Sequence, residues 1–183
     1  LAKGVFLVAN EDLSDPNFRQ TAILITEYSD IGTAGLVLNR PSPMSVEKFF
    51  SRMEGLISEP GNIFVGGPVA IERVQVLVNA DVKLNYADQI IENVYLINNS
   101  EAFIKFGESG RQGNNARLYA GFAGWAPGQL ESELLRGDWY LWHANVETVF
   151  ASEIDSIWLK LVQLTRGQWV KNQSILPEVL HNS

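Results

Sequence analysis

Short apolar runs open the chain at Val5–Ala9, Ala22–Thr26 and Leu36–Leu38, separated by segments 10–17 and 29–32 that are rich in turn-forming residues. Runs this short, punctuated in this way, predict sequential antiparallel strands. After Pro41-Ser42-Pro43 the period changes. Val46, Phe49, Phe50 and Met53 fall at i, i+3, i+4 and i+7 behind Ser45, which predicts a helix with a serine N-cap.

Strand-like composition returns at Ile63–Val65, Arg73–Val78, Val94–Ile97 and Leu118–Phe122. Between them Ser100 is placed to cap a short helix that gathers Ala102, Phe103 and Phe106, and the Gly, Asn and Ser of segment 107–115 predict an exposed loop. Asp138–His143 is dense in aromatics and alternates little, the pattern of a strand covered on both faces. A helix follows over 152–165, its stripe made by Ile154, Ile157, Trp158, Leu161, Val162 and Leu164. Strands arriving in clusters with few helices between them predict an α+β class: a mainly antiparallel sheet curled toward a barrel and flanked by a few helices. The expected organisation is a single domain over 1–167 and a partly disordered tail over 168–183.

One segment stands out, Gly121-Phe122-Ala123-Gly124-Trp125-Ala126-Pro127-Gly128-Gln129-Leu130-Glu131-Ser132-Glu133-Leu134. Its glycines and Pro127 predict a rigid loop between a strand and a helix, with Trp125 at the bend. Leu130, Leu134 and Leu135 recur at helical spacing, Glu131 and Glu133 occupy the first turn, and Gly137 supplies the stop. This segment resembles the signature of the AlgH family of small bacterial proteins, written GYAGWGPGQLExE. Three further segments resemble that family in the same order: GVFLVANEDLSDPNF near the start, Gly35-Leu36-Val37-Leu38-Asn39-Arg40-Pro41, and Ile63-Phe64-Val65-Gly66-Gly67-Pro68-Val69.

The chain departs from the family at Phe122, at Ala126 and at Val78-Asn79, where many members read Leu-His, and it lacks the common Gly-His-Ala ending. Roles tied to that histidine or ending do not transfer. The resemblance implies an α+β fold with no established biochemical activity. The family name implies a regulatory role in alginate synthesis and carries a transcriptional-regulator label.

Composition narrows the chemistry. The chain has 183 residues, 46% of them hydrophobic, which is material for one compact core. No apolar stretch approaches the length of a membrane span, so a cytoplasmic protein without membrane attachment is expected. The absence of cysteine excludes disulfides, thiolate metal sites and thiol nucleophiles. A net charge of −7 argues against direct nucleic-acid binding, which depends on Lys and Arg neutralising phosphates. The expected partner is a protein or a small ligand, with no cofactor and no metal; oligomeric state is left open.

Each candidate functional residue has a plain structural alternative. Gly66-Gly67 could cradle an anion, but a tight turn is the commoner use, and neither a phosphate-loop spacing nor GxGxxG occurs. Arg40, behind Asn39 at a strand end, could clamp an anion or tie to Glu131. Glu131 and Glu133 lie two apart on a helix and point about 200° from one another, so they form no facing acid pair; Glu131 reads as a helix-start anion and Glu133 as solvated. Trp125 is a stacking platform or a plug, and His143 an acid-base group or a hydrogen-bonded core imidazole. The expectation is a non-catalytic binding or regulatory module using Asn39, Arg40, Gly66, Gly67, Trp125, Gln129 and Glu131. The alternative is a hydrolase or isomerase with Glu131 or His143 as acid or base.

Overall fold

The computed structural model describes residues 1–43, 63–108 and 116–173, with side chains through residue 167. The helix predicted around Val46–Met53, the loop over 109–115 and the last ten residues lie outside them. The described strands are β1 (Val5–Ala9), β2 (Ala22–Ser29), β3 (Gly32–Val37), β4 (Ile63–Val65), β5 (Val69–Asn79), β6 (Asp88–Ile91), β7 (Val94–Ile97), β8 (Ala116–Trp125) and β9 (Trp139–His143). The described helices are α1 (Ser100–Glu108), α2 (Gln129–Arg136), α3 (Val146–Val149) and α4 (Ile157–Gln173), the last preceded by a 3₁₀ turn at Ile154–Ser156.

The strands form one sheet in the order β6-β7-β5-β8-β3-β2-β1-β9. Neighbours on this path are antiparallel; β4 lies off it and pairs parallel with β8, Phe64 opposite Tyr119. Alternation along the strands sorts side chains onto two faces. One face gathers Phe6, Leu24, Leu36, Leu77, Leu96 and Tyr119 into a single cluster drawn from both halves of the sheet. Only the inside of a curl collects residues from strands so far apart in the order, so the sheet is a half-barrel. Val149 of α3 and Ile157, Leu161 and Val162 of α4 pack into this interior.

The outer face carries two separate clusters. Leu130 of α2 covers Leu7, Ile23, Ile25 and Val37, while Ala102, Phe103 and Phe106 of α1 cover Val76, Val78, Ile97 and Leu118. The curl brings the edge strand β6 against the approach to β1 at Gly4, which has φ +80°. A Cβ there would stand 2.6 Å from Ile91 Cγ2 and 2.9 Å from the Ile90 carbonyl oxygen, so glycine permits the close approach.

Several predicted elements need correction. The strand at Trp139–His143 is an edge, bonded only to β1 on this path, with Leu141 44% exposed and Trp142 half-buried. It is therefore half-solvated rather than covered on both faces. The cap of α1 is Asn99, whose Oδ1 accepts from the Ala102 N–H at 2.9 Å, and Ser100 is the first helical residue. Leu135 and Leu164 belong to exposed helix faces. The last helix starts at Ile157 and its backbone runs to Gln173, past the expected end at Thr165. Among the described residues no helix is long and apolar enough to cross a membrane.

Candidate functional site

The corner after β8 is built around one carboxylate. Gly128 and Gly137 flank α2 with φ of 74° and 83°, both left-handed, and the Gly137 and Asp138 N–H groups donate to the Leu134 and Glu133 carbonyls as in a Schellman stop. Gln129 and Glu133 lie one turn apart on one face of α2. Glu133 Oε2 accepts from the Trp125 indole N–H at 2.8 Å and from the Trp139 indole N–H at 2.9 Å, and its Oε1 accepts from Gln129 Nε2 at 3.0 Å. Gln129 Oε1 in turn accepts from the Ala126 N–H. Trp125, Trp139 and Phe18 pack together at centroid distances of 5.8–6.1 Å. Glu133 is thus a bonded hub, correcting its reading as a solvated residue, and Trp125 is a buried plug with 5% exposure.

Glu131, on another side of α2, accepts from the Tyr28 hydroxyl at 2.8 Å, and that bond raises the Tyr28 pKa. Arg40 does not pair with it. The Arg40 guanidinium donates to the Arg19 carbonyl at 2.6 Å, while Asn39 donates to the Gln20 carbonyl at 2.8 Å and accepts from the Ala22 N–H at 3.0 Å. Asn39 and Arg40 therefore fasten the turn before β2, where Gln20 has φ 56°. Ala22 and Tyr28 bracket β2, and at about 3.3 Å per residue roughly 20 Å of strand separates the Asn39 end from the Glu131 end.

Gly66 and Gly67 are buried where β4 leaves the sheet. The Gly66 N–H donates to the Ala120 carbonyl, and its carbonyl accepts from the Val37 N–H. A Cβ on Gly67 would lie 2.2 Å from the Phe122 carbonyl carbon, and one on Gly66 would lie 2.3 Å from the Gly121 oxygen. The pair is a crossing of two backbones. The seven residues singled out in the sequence consequently fall in three places: the β2 turn, the β4 crossing and the α2 corner.

The structure draws attention to a different place, the open mouth of the half-barrel. The ends of β2 and β7 and the starts of β1, β3, β5 and β6 all meet there, around a cleft of about 410 Å³. Two bulges shape it. One falls between Ile25 and Glu27 of β2; the other lies in β5, where Val69 pairs with Phe122 and Val74 with Ala120. Bulges re-aim side chains locally, and here Thr26, Glu27 and Arg73 line the cleft. Arg73 lies 6.0 Å over the Phe122 ring. Gln75 is only 5% exposed, lines the cleft, and makes no side-chain hydrogen bond among the described residues. Because Val76 pairs with Ile97, Asn98 is across from it at the end of β7.

A second hollow of about 340 Å³ shares Glu27, Ala34 and Phe122 with this cleft and reaches Trp125. Trp125 therefore lines the hollow next to the mouth rather than the mouth itself, and Glu131 reaches the mouth through Tyr28. His143, paired with Val5 at the same end of the sheet, is exposed rather than a core imidazole. The opposite end of the interior is closed by Arg117, which donates to the Val149 and Ala151 carbonyls between the Phe64 and Phe150 rings. One sequence signal pointed to the mouth: Arg73 and Gln75 are in phase with buried Leu77, so polar side chains follow an interior stripe.

These features define an α+β half-barrel protein with a polar mouth and an indole-bound glutamate at its strand-helix corner. The chain belongs to the AlgH-like family, whose model matches residues 6–170. It is 32% identical over 180 residues to a UPF0301 protein of Chlorobaculum tepidum, covering 97% of this chain and 95% of that one. It is 34% identical over 163 residues to a UPF0301 protein of Mycobacterium avium, covering 85% and 78% respectively. A crystal structure of a Corynebacterium diphtheriae protein superposes with TM-score 0.77 at 27% identity, over 90% of this chain and 87% of that one. The solution structure of AlgH from Pseudomonas aeruginosa shares the fold, with TM-score 0.71 at 24% identity over 97% and 95%.

Proposed function

We propose that this chain is a non-catalytic binding or regulatory module of the cytoplasm, acting through a small ligand held in the mouth of the half-barrel. The observation that carries the reading is Gln75, a residue only 5% exposed whose amide lines the open cleft and makes no side-chain hydrogen bond among the described residues. Neither amide atom is among the fully buried polar atoms that lack a partner, so the amide faces the cleft, where a ligand able to pair with both its donor and its acceptor would replace water. The net charge of −7 supports a small molecule or protein over nucleic acid as the partner. Trp125 lines the adjoining hollow and Glu131 reaches this site through Tyr28, while Asn39, Arg40, Gly66, Gly67 and Gln129 support the frame around it.

An acid-base enzyme is the second reading, favoured by the Tyr28–Glu131 pair at the rim. Binding is preferred because Glu131 is already occupied by that hydroxyl. The test is saturation-transfer NMR of the protein against a set of polar metabolites, repeated on Gln75→Leu and Arg73→Ala. Hits that vanish in both folded variants support the mouth as the site. Hits that persist in both, or turnover of any hit that stops in Glu131→Gln, would overturn the proposal.

A further inference from the structure

We infer that the ligand of the mouth is a small zwitterion carrying an ammonium and a carboxylate, of the free amino-acid class; this rests on the mouth being the binding site. The order of the strands places the charged rim side chains in sequence around the opening. Asp88 stands on β6, Arg73 on β5, Glu27 on β2 and Lys3 just before β1, which closes back against β6 at Gly4. The signs alternate around the ring. Among the described residues none of the four takes part in an ion pair within 4.0 Å, so no charge is cancelled by a neighbour.

A rim of this kind selects by charge arrangement. A dianion drawn to Arg73 and Lys3 meets Glu27 and Asp88 as well, and a diamine meets the reverse conflict. A molecule with one charge of each sign, a few bonds apart, can turn its carboxylate to a cation and its ammonium to a neighbouring carboxylate. Gln75, with Asn98 across from it, adds amide donors and acceptors beneath the rim that suit either group. Leu96 and the Phe122 ring give an apolar wall for a modest side chain, and a cleft of about 410 Å³ is at the small end of the range for ligand sites.

The experiment is isothermal titration calorimetry with L-alanine, L-serine and L-leucine, alongside N-acetyl-L-alanine, L-alanine amide, succinate and putrescine. Each titration is paired with the side-chain amide signal of Gln75 in NMR. At least one free amino acid is expected to bind saturably and shift that signal. Its N-acetyl and amide forms, each lacking one charge, should bind about tenfold weaker or less. Arg73→Ala and Glu27→Gln should each weaken the amino acid by a similar factor. If succinate or putrescine shifts the Gln75 signal and no amino acid does, the ligand class is wrong while the site stands. If no probe moves that signal, the inference falls together with the site.

Discussion

Glu133 accepts two indole N–H groups from residues on different strands, so its carboxylate ties β8, α2 and β9 together. Hydrogen bonds to a charged acceptor contribute about 1.5–3 kcal/mol, and removing the acceptor also strands two part-buried donors. Glu133→Ala is therefore expected to lower unfolding stability by about 3 kcal/mol, and Glu131→Ala, whose one bond is exposed, by less than about 1 kcal/mol. Urea denaturation of both variants checks the difference. Tyr119 presents the opposite case. Its hydroxyl is fully buried without a hydrogen-bond partner, and burial pushes its pKa up, with the charge of the adjoining Arg117 offsetting part of the rise. The folded state thus keeps this proton above about pH 10, where the unfolded chain releases it. Stability falls as pH rises through that range, and Tyr119→Phe should remove the residue's share of the fall. Denaturation midpoints at pH 9 and pH 11 should show the variant equal to or more stable than the parent at pH 9 and losing less by pH 11.

Elements meet at glycines that look alike in the sequence but do different work. Gly67 has φ +155° and backbone atoms 2.2 Å from a would-be Cβ, whereas Gly128 has φ +74° and open space around it. Gly67→Ala must move one of two crossing strands and is expected to cost at least about 3 kcal/mol. Gly128→Ala meets only the left-handed backbone and should cost about 1–2 kcal/mol. Thermal unfolding of the two variants separates them; equal losses would mean that the crossing near Gly67 is not close-packed. At this scale the signature was legible as strand, loop and helix, because turn residues and helical spacing are local. Its hub was not legible, since Glu133 owes its role to Trp139, which arrives on the next strand. The aromatic density of β9 misled for a related reason: Trp139 is buried by α2 and Phe18, while Leu141 two residues on stays open on the same face.

The whole molecule is a sheet with two ends, β6 and β9, and a centre at β8, β3 and β2. Central strands are bonded on both sides and lie over the interior cluster, so they should open only with global unfolding. Hydrogen exchange is expected to protect β2 and β3 at least about a hundredfold more than β9, a difference of roughly 3 kcal/mol in opening free energy. Equal protection would show that β9 is covered rather than an edge. The mouth also belongs to this scale. Lys3, Glu27, Arg73 and Asp88 are scattered through the chain and look like ordinary solvated charges until the curl sets them around one opening.

What the sequence by itself determined is the local and the compositional: the α+β class, the antiparallel tendency, the strand-helix corner, the kinship with the AlgH-like family and the exclusion of thiol chemistry. Those follow from periodicity, turn residues and residue counts, which need no knowledge of distant contacts. Tertiary structure alone decided that Arg40 fastens a turn, that Glu133 binds two indoles, and that the Gln75 amide lines an open cleft with no side-chain hydrogen bond among the described residues. Each depends on segments far apart in the chain being brought to within 3 Å or kept apart, and hydrogen-bond distance is set by the closing of the sheet rather than by the order of residues.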